Sequence, residues 1–389
     1  MNPIYLDHAA TTPLDPGVLE AMLPFLRGQF GNASSVHGFG QRARGAIDEA
    51  RAQVAALIGA RDSEIVFTSG GTEADNLAIV GVLAAGAEAG RNNLVVSAIE
   101  HHAVLNSLKA IDHARHKVTT VAARKSGRVE PGAVAEAVDR ETVLASVMLV
   151  NNETGVIQEI PEVVRLVKAR GALVHTDAVQ GLGRFPLDVR RLDVDLMTVS
   201  AHKIYGPKGA GALYVRSGTR MTALIRGGSQ ERNRRAGTEN VAAIVGFGKA
   251  AELAGERMAE DSTRIAILRD RLEAALIGTG DGTVTRNGSA TDRIASTSNL
   301  SFAGVSGEDL LVALDLAGVA VSTGAACAAG SPEPSHVLKA MGLSRERVNT
   351  SLRFSLGRGT TIEEIDRTVA VVKAAVSRLL RAPLEQTQH

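Results

Sequence analysis

Between residues 41 and 215 the chain alternates between two apolar periods. Stripes at helical spacing predict helices over 41–58, 73–87, 103–115, 132–138 and 160–170, and short apolar runs between them predict strands over 64–68, 94–97, 118–121, 143–150, 173–177, 196–200 and 212–215. Strands alternating with helices imply right-handed βαβ units and a mainly parallel sheet covered on both faces. Before this tract, Leu19, Met22, Leu23 and Leu26 form one helical stripe that ends at Gly28.

After Gly228 the pattern changes. A charged loop, Gln230 to Glu239, leads into a long helical tract to about Leu276, read as the hinge to a second domain, and 278–292 is turn-rich. Strands at 297–302, 319–321 and 352–355 and helices at 308–316 and 362–380 then predict a small α+β unit. The expected organisation is an α/β fold with a large domain over 15–255 and a small one assembled from 1–14 and 256–389.

Composition narrows the function classes. The 389 residues are 44% hydrophobic and 22% charged with a formal net charge of +1, so no basic field for nucleic acid or membrane follows. Three tyrosines, eight phenylalanines and no tryptophan leave little material for stacking single-stranded nucleic acid. No apolar run approaches bilayer length and the first residues lack a signal-peptide pattern, so a cytoplasmic enzyme is expected. The single cysteine, Cys327, rules out an intrachain disulfide framework and any metal site built on clustered cysteines, and the histidines show no ligand spacing.

Candidate chemistry collects where predicted strands stop, which is where open α/β sheets bind ligands. Lys203 follows the run ending at Ser200, in a turn dense in glycine and proline, placed to form a Schiff base with an aldehyde cofactor. Ser69-Gly70-Gly71-Thr72 precedes a helix and reads as a phosphate cradle, although such turns often bind nothing. Glu100-His101-His102 offers a ring that stacks and moves protons, or simply a capped helix start. Asn151-Asn152-Glu153 offers amides, or an Asx turn. Asp177 ends an apolar run where an unpaired carboxylate is costly, and a protonated pyridine nitrogen would partner it.

Together these segments resemble the cysteine desulfurases, fold type I pyridoxal phosphate enzymes of the class V aminotransferase group. The resemblance is carried in chain order by Tyr5 to Pro13, Ser69 to Asn76, Glu100 to Val104, Val150 to Gly155, Asp177 to Gln180, Ser200 to Lys203, Arg234 to Asn240, Ala325 to Cys327 with Glu333 to Leu338, and Ser351 to Ser355. It implies a seven-stranded, mainly parallel sheet in the large domain, and a small domain carrying the cysteine loop at about 322–334.

The resemblance further implies that Lys203 binds the cofactor aldehyde, Asp177 the pyridine nitrogen, and His101 the ring face while handling protons. Asn152 and Gln180 would bond the ring hydroxyl. Thr72, Ser200, His202 and the Gly71 amide would take the phosphate, with Thr238 reaching the phosphate of the neighbouring subunit of a homodimer. Arg353, with Asn152, would hold the carboxylate of L-cysteine as a bidentate fork. Cys327 would attack the substrate sulfur, giving L-alanine and a persulfide for an acceptor protein.

Around Cys327 the sequence is similar to the long-loop branch that serves iron–sulfur scaffolds. It departs in having Ala326 and Ala328 where hydroxyl residues are commoner, and His8 stands where the family varies. Transfer-RNA thiolation and other cofactor pathways remain open as destinations, and competing readings are a selenocysteine lyase, a related lyase or aminotransferase, or an idle sulfur-transfer scaffold.

Overall fold

A computed structural model describes residues 3–87, 90–278, 282–324 and 334–381. Its strands, in chain order, are β1 (Ile4–Tyr5), β2 (Ile65–Thr68), β3 (Asn93–Ser97), β4 (Val118–Val121), β5 (Thr142–Ser146), β6 (Leu173–Asp177), β7 (Leu196–Ser200), β8 (Gly211–Val215), β9 (Val284–Arg286), β10 (Thr297–Phe302), β11 (Val319–Ala320) and β12 (Ser351–Ser355). Seven of them form one sheet in the order β2-β8-β7-β6-β5-β3-β4. Pairing is parallel from β4 through β7, and only β8 runs against its neighbours.

Every residue of β2, β3, β5, β7 and β8 is buried, which explains their near-continuous apolar runs: helices cover both faces. One face packs into a core that includes Phe67, Val95, Met197, Val199 and Phe247; the other packs against the helix Gly71–Ala87 through Val66, Leu77 and Leu213. The parallel strands therefore end on one edge, where residues 69–72, 98–101, 147–153, 178–180 and 201–203 follow them.

A separate core gathers Ile4, Leu6, Leu272, Leu300, Leu352, Phe354 and Ile365 around the antiparallel sheet β12-β10-β9 and the parallel pair β1-β11. The helix Val241–Ile277 serves both cores. Ile244, Phe247 and Ala251 enter the first, and Ile265, Leu268 and Leu272 enter the second. At 37 residues it is ~55 Å long.

Several sequence expectations are refined. The turn-rich stretch 278–292 contains β9, which pairs with β10 through Leu300 and Arg286. Only three residues long, β9 carries no readable alternation. The strand expected over 143–150 stops at Ser146, and the helix expected over 103–115 is a helix His102–Ser107 followed by a 3-10 turn. In the helix Pro16–Arg27, Val18 and Met22 are buried, whereas Leu19 and Leu26 of the expected stripe are exposed.

Candidate active site

Lys203 closes a single 3-10 turn, Ala201–Lys203, directly after β7. Its Nζ donates to the carbonyl oxygens of Ala9 and Ala10 at 2.7 and 2.6 Å. Burial, reinforced by the guanidinium charges of Arg184 and Arg353, lowers its pKa to about 7. The N-terminal segment is thus a wall of the site. It is tied down by Leu6 N–H to Ala320 O, His8 N–H to Ser355 O and Thr12 N–H to His202 O.

Asp177 ends β6, buried, with one carboxylate oxygen accepting from Val179 N–H at 2.9 Å. Burial raises its pKa, so the site disfavours its charge unless a cation faces it. Behind it lies a chain of buried polar groups that the sequence reading missed. His175 Nδ1 lies 2.9 Å from Ser146 Oγ, its Nε2 lies 3.0 Å from Thr198 Oγ1 and 3.5 Å from Asp75, and Ser146 donates to Glu100 at 3.4 Å. Burial lowers the His175 pKa to about 3 and raises that of Glu100 to about 7, so the imidazole is neutral. The signal for this network was polar residues, His175 and Thr198, inside otherwise apolar strands.

His101 caps the helix His102–Ser107: its Nδ1 accepts from Ala103 N–H at 3.1 Å. Burial, then the charges of Lys203, His102 and His336, lowers its pKa to about 4. The neutral ring therefore carries its proton on Nε2. The helix-cap reading is the one observed, with the half-buried ring near enough to Lys203 to feel its charge.

The helix Gly71–Ala87 begins immediately after β2, and its first N–H groups have no partner within the helix. A Cβ on Gly71 would stand 3.1 Å from Val179 and 3.8 Å from the Cβ of Ser200, so this helix start, with Thr72, faces the end of β7. Ser200 Oγ is buried and unpartnered. His202 Nδ1 lies 3.2 Å from Thr11 Oγ1, and burial holds the ring neutral with a pKa of about 4.

Asn152 Oδ1 is likewise buried without a partner, and Asn152 O accepts from Arg353 Nη1 at 2.9 Å. Arg353, on β12, directs Nη2 to Asp7 Oδ1 at 2.7 Å and leaves Nε buried and unpartnered. Gln180 donates to Ala9 O at 2.9 Å and accepts from Arg184 at 2.5 Å, so its amide braces the N-terminal segment. Exposed Thr238 rims a cavity of about 200 Å³ shared with Ser69, Arg235 and Asn240. Cys327 lies outside the described residues.

These residues fit pyridoxal phosphate on chemical grounds. An anion finds the helix start at Gly71 and the free Ser200 hydroxyl, a cationic ring nitrogen finds Asp177, and a polar ring substituent finds Asn152 Oδ1.

Residues 4–368 match the family model described as aminotransferase class-V. The chain belongs to that family. It is 46% identical over 380 residues to a cysteine desulfurase IscS of Dictyoglomus turgidum, covering 97% of this chain and 95% of the relative. A cysteine desulfurase IscS of Anaeromyxobacter sp. is 48% identical, with 97% and 93% covered. Among solved structures, one described as a NifS-like protein superposes with a TM-score of 0.90 at 36% identity, covering 97% of this chain and all of that one. Another, described as SspA in complex with cysteine, gives 0.80 at 35% identity, covering 91% and 98%. The matched span takes in every candidate residue described above.

Proposed function

We propose that this protein is a pyridoxal phosphate-dependent cysteine desulfurase that releases L-alanine from L-cysteine and leaves the sulfur as a persulfide on Cys327, for an acceptor protein of iron–sulfur cluster assembly. The observation that carries the reading is the Lys203 amine, withdrawn from water and drawn down to a pKa of about 7, beside Asp177 and the buried Arg353. Full-length relatives named as cysteine desulfurases support it.

When bound, the cofactor supplies an aldehyde to capture the substrate amine and a protonated ring to withdraw electrons. The chain supplies everything around it. Lys203 offers an amine that is largely unprotonated just above neutral pH. Asp177 would hold a proton on the ring nitrogen by opposing its charge. The Gly71 and Thr72 amides with Ser200 and His202 would take the phosphate, and Asn152 and Gln180 would bond the ring hydroxyl. His101 would cover the ring and donate from Nε2; to take up a proton there, the imidazole must first move its single N–H proton from Nε2 to Nδ1 and give up its cap bond to Ala103.

Arg353 selects for a carboxylate, and Cys327 receives the sulfur. In a homodimer, exposed Thr238 would complete the phosphate site of the neighbouring subunit. The organisation we propose is a large cofactor-binding domain over 15–255 and a small one from 1–14 and 256–389, with Ile294, Val337, Leu338, Met341 and Val348 of the latter packing into the first core. No helix among the described residues is long and apolar enough to cross a membrane.

The test is product analysis on the purified protein reconstituted with pyridoxal phosphate. L-cysteine should yield L-alanine and protein-bound sulfur, and Cys327→Ala should abolish the persulfide and slow alanine release at least about 100-fold. Unchanged sulfur release by that variant would remove Cys327 from the reaction.

A further inference from the structure

Arg353 is the group expected to grip the substrate carboxylate, yet a carboxylate already sits on it. Asp7 Oδ1 accepts from Nη2 at 2.7 Å, while Nη1 is committed to Asn152 O. That leaves Nε as the one guanidinium nitrogen without a partner, buried beside Nη2. A guanidinium binds a carboxylate best along an edge that presents two parallel N–H bonds. The edge with a free nitrogen is Nε with Nη2, and Asp7 holds half of it.

The two partners differ in freedom. The Arg353 side chain is 4% exposed, whereas Asp7 is 18% exposed and reaches solvent. Its backbone is fixed by a bridge to Ser355 and by the Tyr5 hydroxyl donating to its carbonyl at 3.0 Å. The carboxylate can turn away about its own side-chain bonds while Arg353 stays in place. An arriving carboxylate and a retained Asp7 would also place two negative charges at one guanidinium, a repulsion that the buried setting strengthens.

We propose that Asp7 is a built-in carboxylate competitor: it occupies Arg353 in the absence of substrate, must be displaced by the substrate carboxylate, and so sets how tightly amino acids bind. This rests on the proposed function for the substrate class only. In the free protein Asp7 also gives Arg353 a counter-charge, which a buried guanidinium needs. Affinity for the substrate is lowered by the cost of displacing it.

The experiment compares L-alanine with ethylamine, which differs from it by the carboxylate. Each is titrated into the pyridoxal phosphate holoenzyme and followed by cofactor absorbance, for wild type, Asp7→Asn and Asp7→Glu. The Asp7→Asn side chain keeps an acceptor for Nη2 without the charge, so L-alanine should bind about tenfold tighter with ethylamine unchanged. Asp7→Glu keeps the charge and should stay within about twofold of wild type.

Equal or weaker L-alanine binding by Asp7→Asn overturns the proposal, as does an equal gain for ethylamine. Thermal unfolding of each variant confirms that it is folded. Because no turnover is measured, failure of the wild type to desulfurate cysteine would sink the proposed function and leave this comparison intact.

Discussion

Ser146 Oγ and His175 Nδ1 meet at 2.9 Å inside the sheet, and this contact joins Glu100 on one side to Thr198 and Asp75 on the other. His175 and Asp177 sit two apart on β6 and so project from the same face. The network therefore lies on the same strand face as Asp177, the carboxylate proposed to meet the cofactor nitrogen. His175→Ala leaves Ser146 and Thr198 short of a partner and opens a void. It should cost about 3 kcal/mol in urea unfolding and shift the pH dependence of cofactor absorbance in the holoenzyme.

Lys203 gives a prediction with a defined pH sign for the cofactor-free protein. Its folded pKa, about 7, lies below its unfolded value of 10.5. Between those values the unfolded chain binds the extra proton, so this residue's contribution to stability rises with pH across the window and is most unfavourable below 7. Lys203→Met should therefore gain most over wild type below pH 7, with the difference shrinking toward pH 10.5. Urea unfolding at a series of pH values checks it; a constant difference would count against the lowered pKa.

Arg51 and Glu231 form a bidentate pair of 2.7 Å bonds, buried on both sides, and Glu231 also accepts from Phe67 N–H at 2.9 Å. Glu231, Arg232 and Asn233 all have positive φ, at 47°, 56° and 63°. Such a left-handed run in non-glycine residues is strained and needs an anchor. The loop carrying Thr238 follows it. Arg51→Ala should cost roughly 3–5 kcal/mol in thermal or urea unfolding and speed amide exchange at 229–240.

Gly357 lies flat against the His8 ring, and a Cβ there would overlap Nδ1, Cε1 and Nε2 of that ring. The His8 backbone is held by Ser355 O and by Arg184, so the ring has little room to retreat. Gly357→Ala should destabilise by ~2 kcal/mol or more, and His8→Ala in the same chain should recover most of that loss. Urea unfolding of the four-member cycle reads the coupling.

Part of the candidate site was legible in the sequence because several of its residues sit at or just after an apolar run long enough to be read as a strand. Lys203, Asp177, His101 and Gly71 are of that kind, and the structure brings them to one sheet edge. What stayed hidden depends on chain crossings. Asp7 and Arg353 are 346 positions apart, and Arg51 and Glu231 are 180 apart. No local period links such pairs. The strand β9 escaped for a different reason, since its pairing with β10 is set by the sheet and its three residues carry no signal of their own.

The unbroken helix Val241–Ile277 has its flanks sunk in both hydrophobic clusters. Melting either cluster strips one end of that rod of its packing and costs the other its neighbour. The chain should therefore denature as one cooperative unit, with a single heat-absorption peak instead of two separable transitions.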